Sequence, residues 1–279
     1  MKRCRFGLLI LSLILLTGCA TNPATGRRQF NLMSISQQTA LGEQAQPELI
    51  AEYGGEVQSP ELREFFKRVG TRVARQVEEP YRDLPWEFTL LDSEVINAFA
   101  LPGGKVFMTR GLLAYMDNEA QVAGVLGHEV GHVTAEHAGE QLSYAMGAQV
   151  FANVLLAASE GGDYSQLTEL LVGVGGQGFL MKFSRDHEYE SDIQGLKYMT
   201  RAGYDPHAMA DVLNILLELG GTSGSLMEFF STHPDTDKRL ARVEQMLGTE
   251  YRHTANNPAF KTYSSRFRRD IKPLLAPSK

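Results

Sequence analysis

The chain has 279 residues, 43% hydrophobic and 22% charged, with 27 Lys and Arg against 33 Asp and Glu for a formal net charge of −6. That length and apolar fraction suit one globular domain with appendages or two small domains. The acidic balance and the lack of a basic block through the middle argue against nucleic acid as a partner.

Met1-Lys2-Arg3-Cys4-Arg5 is a basic start, and Leu8 to Leu16 is an apolar core too short to span a bilayer as a stable helix. Residues 1–18 therefore read as a signal peptide. They end in Leu16-Thr17-Gly18-Cys19, which resembles the bacterial lipobox, where the signal is cut before a cysteine that carries lipid. The resemblance implies a mature chain starting at lipidated Cys19 and held to a membrane by that anchor. Cys4 would leave with the signal and Cys19 would be blocked, so metal ligands must come from His and carboxylate. Ala20, where Asp would favour inner-membrane retention, points to the bacterial cell envelope and the periplasmic face of an outer membrane.

Thr21 to Asn31, with Asn-Pro and Thr-Gly-Arg-Arg, is expected to be a polar, turn-rich tether. Ser34 to Tyr53 has a helical pattern stopped by Gly54-Gly55, so residues 19–56 form the anchored tether and a helix. Ser59-Pro60 supplies an N-cap and a first-turn proline, and Leu62, Phe65, Phe66, Val69, Val73 and Val77 follow at helical spacing. The pattern then changes to short β runs, Trp86 to Leu91, Val95 to Ala100 and Lys105 to Thr109, with Pro102-Gly103-Gly104 as a turn. These predict a small antiparallel sheet. Either Asn97 to Leu101, led by Asn97, Ala98 and Phe99, or Lys105 to Thr109 could be a free edge on which an extended peptide pairs through its main chain. A sheet that only supports the core is the alternative.

Ala120, Val122, Ala123, Val125, Leu126, Val130 and Val133 predict a helix over Glu119 to His137 that contains His128-Glu129-Val130-Gly131-His132. Residues four apart on a helix lie about 40° apart around the axis, so His128 and His132 share a face. Two imidazoles on adjacent turns can reach one metal ion at roughly 2 Å, and the neighbouring Glu129 can reach a water there. This is the HExxH arrangement of zinc proteases, and it needs a third protein ligand.

Leu142 to Ala158 is apolar nearly all round and short for a membrane span, so it is expected to be a buried or membrane-facing helix. Asp163 to Val174 reads as a helix and Gly173 to Gly178 as a flexible stretch that lacks the context of a phosphate loop. A helix begins near Ser184, placing Glu188 and Asp192 on one face and turning His187 and Glu190 elsewhere. One of those carboxylates can ligate zinc while the other accepts a hydrogen bond from a ligand imidazole. Asp205-Pro206 opens a helix through Leu219, Gly220 to Gly224 is a loop, and Asp235 to Leu247 is the last helix of the domain. The tail, residues 249–279, mixes aromatics with Lys and Arg. Packing on the domain is its default reading, and contact with an anionic membrane or a partner is the alternative.

The HEVGH motif, then Glu188-Tyr189-Glu190-Ser191-Asp192, then His233-Pro234 to Arg239, preceded by Asn97 to Gly104 before a strand, resembles one metallopeptidase family. That family comprises HtpX, BepA, the mitochondrial Oma-type protease and the type I CAAX prenyl protease. The lipobox places the chain beside its lipid-anchored bacterial members. The resemblance implies an α+β, mainly α, zincin-like fold of the gluzincin type over residues 57–248. It makes His128, His132 and Glu188 the ligands of one zinc ion and Glu129 the general base. Asp192 becomes the carboxylate behind a ligand imidazole. His233 matches a loop histidine that either stabilises the transition state or blocks the zinc. His137 is excluded as a ligand because Ala135 and Ala138 stand where a metzincin needs Gly and His, and His207 and His253 read as ordinary surface or loop residues. The expected activity is hydrolysis of peptide bonds in unfolded or misassembled envelope proteins, with a non-catalytic or latched zinc lipoprotein acting in assembly as the competing reading.

Overall fold

The computed structural model describes residues 19–158, 183–220 and 227–275. Strands β1 (Cys19–Thr21) and β2 (Arg28–Phe30) lead into helices α1 (Ile35–Glu52) and α2 (Pro60–Ala74). Strands β3 (Glu87–Leu91), β4 (Ala98–Leu101) and β5 (Lys105–Thr109) follow, then a single turn, α3 (Arg110–Leu113). The remainder is helical: α4 (Glu119–Thr134), α5 (His137–Ala158), α6 (Arg185–Arg201), α7 (His207–Gly220), α8 (Met227–Thr232), α9 (Thr236–Gly248) and α10 (Ser264–Asp270). The protein is thus mainly α, with small sheets.

Local side chains start the helices where the sequence says they should. The Ser34 hydroxyl accepts from Gln37 N–H in a full capping box, and Ser59, Asn118 and Ser184 accept from the N–H three residues on in α2, α4 and α6. The apolar stripe of α2 buries Phe65, Phe66, Val69 and Val73 against the sheet and α4. Each such side chain contributes about 1.5–3 kcal/mol when fully buried. Every residue of α4 is buried, so the helix that carries His128, Glu129 and His132 is the central element of the fold.

The sheet corrects the antiparallel expectation. β5 lies between β3 and β4, paired parallel to β3 (Leu90 opposite Met108) and antiparallel to β4 (Phe99 opposite Phe107). Lys105 to Thr109 is therefore a central strand and cannot be the free edge, whereas β4 lies at one side of the sheet. Val106 and Met108 face the main core under α4, and Phe107 joins Phe99, Leu91 and Leu101 against Leu49 of α1 and Tyr53 just past its end.

Thr21 to Asn31, expected as a polar, turn-rich tether, instead belongs to an antiparallel hairpin, Cys19 opposite Phe30, that packs on the domain. Asn22 is buried and donates to the Tyr81 hydroxyl and to the Thr134 carbonyl, each at 2.9 Å, at the end of α4. The tail is equally integrated. Phe267 is buried edge-on to Phe65, Thr262 O accepts Ala120 N–H at 3.2 Å, and Arg266 pairs with Glu119, which also meets Arg68 and Tyr204. On α5, Glu140 and Ser143 are buried, while Tyr144 and Met146 are 58% and 48% exposed. Among the described residues no helix is long and apolar enough to cross a membrane. The helix expected over residues 163–174, the glycine stretch 173–178 and most of the loop after Gly220 lie outside the described residues.

Candidate metal centre

Close approach of α4 and α6 assembles the site, and glycine permits it. A Cβ on Gly131 would stand 2.8 Å from Ser191 O, and one on Gly195 would stand 2.9 Å from His128 N. The two backbones therefore pass nearer than any side chain would allow, which sets Glu188 opposite His128 and His132.

The Nε2 atoms of His128 and His132 lie 3.1 Å apart. Glu188 places its two carboxylate oxygens 3.4 Å from His128 Nε2 and 3.3 Å from His132 Nε2. On their far sides, His128 Nδ1 is 2.9 Å from Asp192 Oδ1, and His132 Nδ1 is 3.0 Å from His137 Nδ1. With the ring protons assigned to those outer nitrogens by the network, both Nε2 lone pairs converge on the space in front of Glu188. His233 completes a buried group in which one ligand atom from each of His128, His132, Glu188 and His233 lies within 4.8 Å of every other. Nitrogen and carboxylate donors without thiolate, converging in this way, fit a single zinc ion.

Electrostatics agree with a positive charge at this centre. Burial lowers the pKa of His128 and Arg239 lowers it further, yet hydrogen bonds to Asp192 and Glu188 push it up to about 9, so the two carboxylates favour a positive charge there, held as a proton that a metal ion would displace to use the Nε2 lone pair. Burial holds His132 well below the ordinary histidine range, keeping that imidazole neutral as a ligand must be. For Glu188 the cost of burial is outweighed by His233 and Arg239, so the carboxyl stays ionised well below the usual range. Glu129 behaves oppositely: burial raises its pKa, and its Oε2 is a buried oxygen without a hydrogen-bond partner. That oxygen is an unfilled acceptor beside the ligand group, suited to a water or a substrate proton.

His233, from the segment between α8 and α9, sets Nδ1 3.2 Å from both oxygens of Glu188 and Nε2 3.2 Å from Ala98 O on β4. Its Nε2 is 3.7 Å from Glu129 Oε1. Asn97 is fully buried and reaches the Tyr53 hydroxyl, so Asn97 is fastened into the core, while Ala98 presents its carbonyl to the site and Phe99 turns into the α1 core. His207 is a partly exposed residue paired with Asp205, away from the group.

Two contributors escaped the sequence reading. Arg239, noted only as the end of the His233-Pro234 motif, is buried and donates to Asp192 at 2.7 and 2.8 Å while pairing with Glu188 at 2.7 Å. Phe183, next to the Ser184 N-cap, stacks on His132 with ring centroids 4.0 Å apart. Only Arg239 left a signal, its fixed distance from His233.

Comparison with known proteins gives the same picture. The profile of peptidase family M48 matches residues 60–247. The mitochondrial metalloendopeptidase OMA1 of Schizosaccharomyces pombe is 32% identical over 228 residues, which is 81% of this chain and 65% of that protein. The beta-barrel assembly-enhancing protease of Escherichia coli is 32% identical over 241 residues, 81% of this chain and 48% of that protein. OMA1 of Arabidopsis thaliana is 36% identical over 163 residues, 58% of this chain and 32% of that protein. The chain thus spans between about a third and two thirds of the length of these relatives. His128, His132 and Glu188, all within the matched region, belong to a buried group that could hold a metal ion, in agreement with the match: the chain belongs to peptidase family M48.

Proposed function

We propose that this protein is a zinc metalloendopeptidase in which His128, His132 and Glu188 hold the metal. The convergence of two Nε2 lone pairs and a carboxylate beside the unpartnered Oε2 of Glu129 carries the reading. Bound zinc supplies the Lewis acidity that acidifies a water and polarises a peptide carbonyl. Glu129 takes a proton from the attacking water and delivers it to the leaving amine, a task suited to a carboxyl whose burial raises its proton affinity. Asp192 holds the Nδ1 proton of His128 and so fixes the tautomer that leaves Nε2 free. Arg239 fastens Asp192 and Glu188 in one orientation. The edge strand β4 offers main-chain groups for an extended substrate, including the Ala98 carbonyl once His233 releases it.

A second reading has its own observation. His233 bridges Glu188 and Ala98 O, so in this arrangement its ring stands between the ligand group and the edge strand. As a fourth ligand it would close the site and keep the enzyme latched until the loop moves. In that reading His233 blocks the site; in the other it stabilises the charge developing on the substrate from the position it holds here, with Nε2 3.7 Å from Glu129 Oε1.

The biological setting rests on the lipobox and on kinship. Cys19 carries a lipid, the domain lies on the envelope membrane facing the periplasm, and the substrates are unfolded or misassembled envelope proteins under quality control. The similarity to a protein named beta-barrel assembly-enhancing protease supports that role. Cleavage of an unfolded protein by zinc-loaded chain, run beside Glu129→Gln and His233→Ala, tests the reading. Activity lost in Glu129→Gln supports the peptidase, and activity gained in His233→Ala supports the latch. Zinc-loaded protein that is silent in all forms contradicts both.

A further inference from the structure

Behind the metal ligands lies a second group of buried and half-buried titratable side chains that the chemistry above does not use. His137 is fully buried and opens α5, three residues past the end of α4, with Nδ1 3.0 Å from His132 Nδ1 and Nε2 2.9 Å from Glu190. The Ser191 hydroxyl also points at His137 Nδ1, at 3.4 Å. Glu190 receives the Arg27 guanidinium, whose Nε lies 3.1 and 3.2 Å from the two carboxylate oxygens. The same Arg27 grips Glu140 of α5 through Nη1 at 2.9 Å, and His187 stacks flat on His137 with ring centroids 4.2 Å apart. Arg27 comes from the turn between β1 and β2, so the chain of contacts begins on the N-terminal hairpin.

These contacts have a single consistent proton assignment. Glu190 is an acceptor only, so His137 donates to it from Nε2 and keeps Nδ1 as a lone pair. That lone pair accepts the Nδ1 proton of His132, which leaves the His132 Nε2 lone pair aimed at the metal. His128 obtains the same orientation from a carboxylate, Asp192, whereas His132 obtains it from a neutral ring backed by Glu190 and Arg27.

We propose that His137, Glu190 and Arg27 form a positioning relay that couples the N-terminal hairpin to the zinc ligand His132. His137 is a positioning residue: it sets the tautomer and direction of His132, and the hairpin sets His137 through Glu190. Displacing the hairpin would slacken one ligand without touching the metal, so the segment that follows Cys19 bears directly on zinc affinity.

The proposal rests on the zinc reading, and the test separates the two. Zinc affinity of the full chain is measured by competition with a chromogenic chelator, alongside the unfolding midpoint of each zinc-free variant. His137→Leu is expected to weaken zinc binding by about 10–100-fold and His137→Gln, whose amide can accept from His132 and donate to Glu190, to restore most of it. Glu190→Ala and Arg27→Ala are expected to weaken it by smaller factors, in that order. A residue with a merely structural role would lower the unfolding midpoint and leave the zinc affinity of the folded chain unchanged. Folded His137→Leu with wild-type zinc affinity would overturn the relay; if that variant does not fold, wild-type affinity in both Glu190→Ala and Arg27→Ala would overturn it. A wild-type chain that binds no zinc would overturn the reading of the site and the relay together.

Discussion

Arg239 and Asp192 are joined by two hydrogen bonds, at 2.7 and 2.8 Å, deep inside the protein, and the same guanidinium reaches Glu188 at 2.7 Å. One cation thus balances Glu188, the carboxylate of the candidate metal group, and Asp192, the carboxylate hydrogen-bonded to His128. Removing one partner of a buried ion pair costs about 3–5 kcal/mol because the other charge is left uncompensated. Arg239→Met should therefore lower the denaturant midpoint strongly and weaken zinc binding with it. An unchanged midpoint would show that the carboxylates do not depend on this arginine.

The close passage of α4 and α6 makes a second prediction. Gly131→Ala places a methyl 2.8 Å from Ser191 O, a backbone atom that cannot swing aside. Overpacking of this kind costs about 1–3 kcal/mol, and here it also pushes Glu188 away from the histidines. Thermal unfolding and zinc titration of the variant should both shift, and a shift in stability alone would mean that the helix spacing does not set the ligand geometry.

Stability in acid should depend on Glu140. Burial alone would raise its pKa, but hydrogen bonds from Arg27 and His187 hold it down at about 2 against an ordinary 4.5. A carboxyl depressed in the folded state binds its proton more readily when unfolded, so its contribution is complete above pH 4.5 and is lost as pH falls toward about 2. Arg27 is 36% exposed, and solvent screening reduces the size of the effect. Denaturant midpoints of wild type and Glu140→Gln, compared from pH 7 downward, should differ at neutral pH and converge in that window. A difference that stayed constant with pH would contradict the pairing.

For the tail, Phe267→Ala removes a fully buried ring that packs on Phe65 beneath α2. The expected cost is about 3–5 kcal/mol, read as a fall in the unfolding midpoint. A variant as stable as wild type would return the tail to the status of a surface appendage.

Much of this architecture is legible from residues alone where a local signal decides. Ser59-Pro60 fixes a helix start through its cap, a helix does begin at Ser184, and His128 and His132 share a face because helical spacing requires it. The parallel pairing of β3 with β5 is not legible, because alternation reports a strand but says nothing of which neighbour it meets or in which direction. The hairpin over residues 19–30 reads as a tether because its polar residues look solvated. Asn22 and Arg27 are polar in order to bind Thr134, Glu140 and Glu190, all far along the chain. His137 is set aside as a ligand because Ala135 and Ala138 break the metzincin pattern, and that pattern says nothing of its contact with His132 across the end of α4.

The most direct test of the central claim is a paired measurement on Glu129→Gln: zinc content by elemental analysis and the rate of cleavage of an unfolded protein, each beside wild type. The site geometry predicts full zinc with turnover abolished, because Glu129 lies outside the ligand group and handles the proton. Peptide cleavage at the wild-type rate in that variant would contradict the assignment of Glu129 as the base.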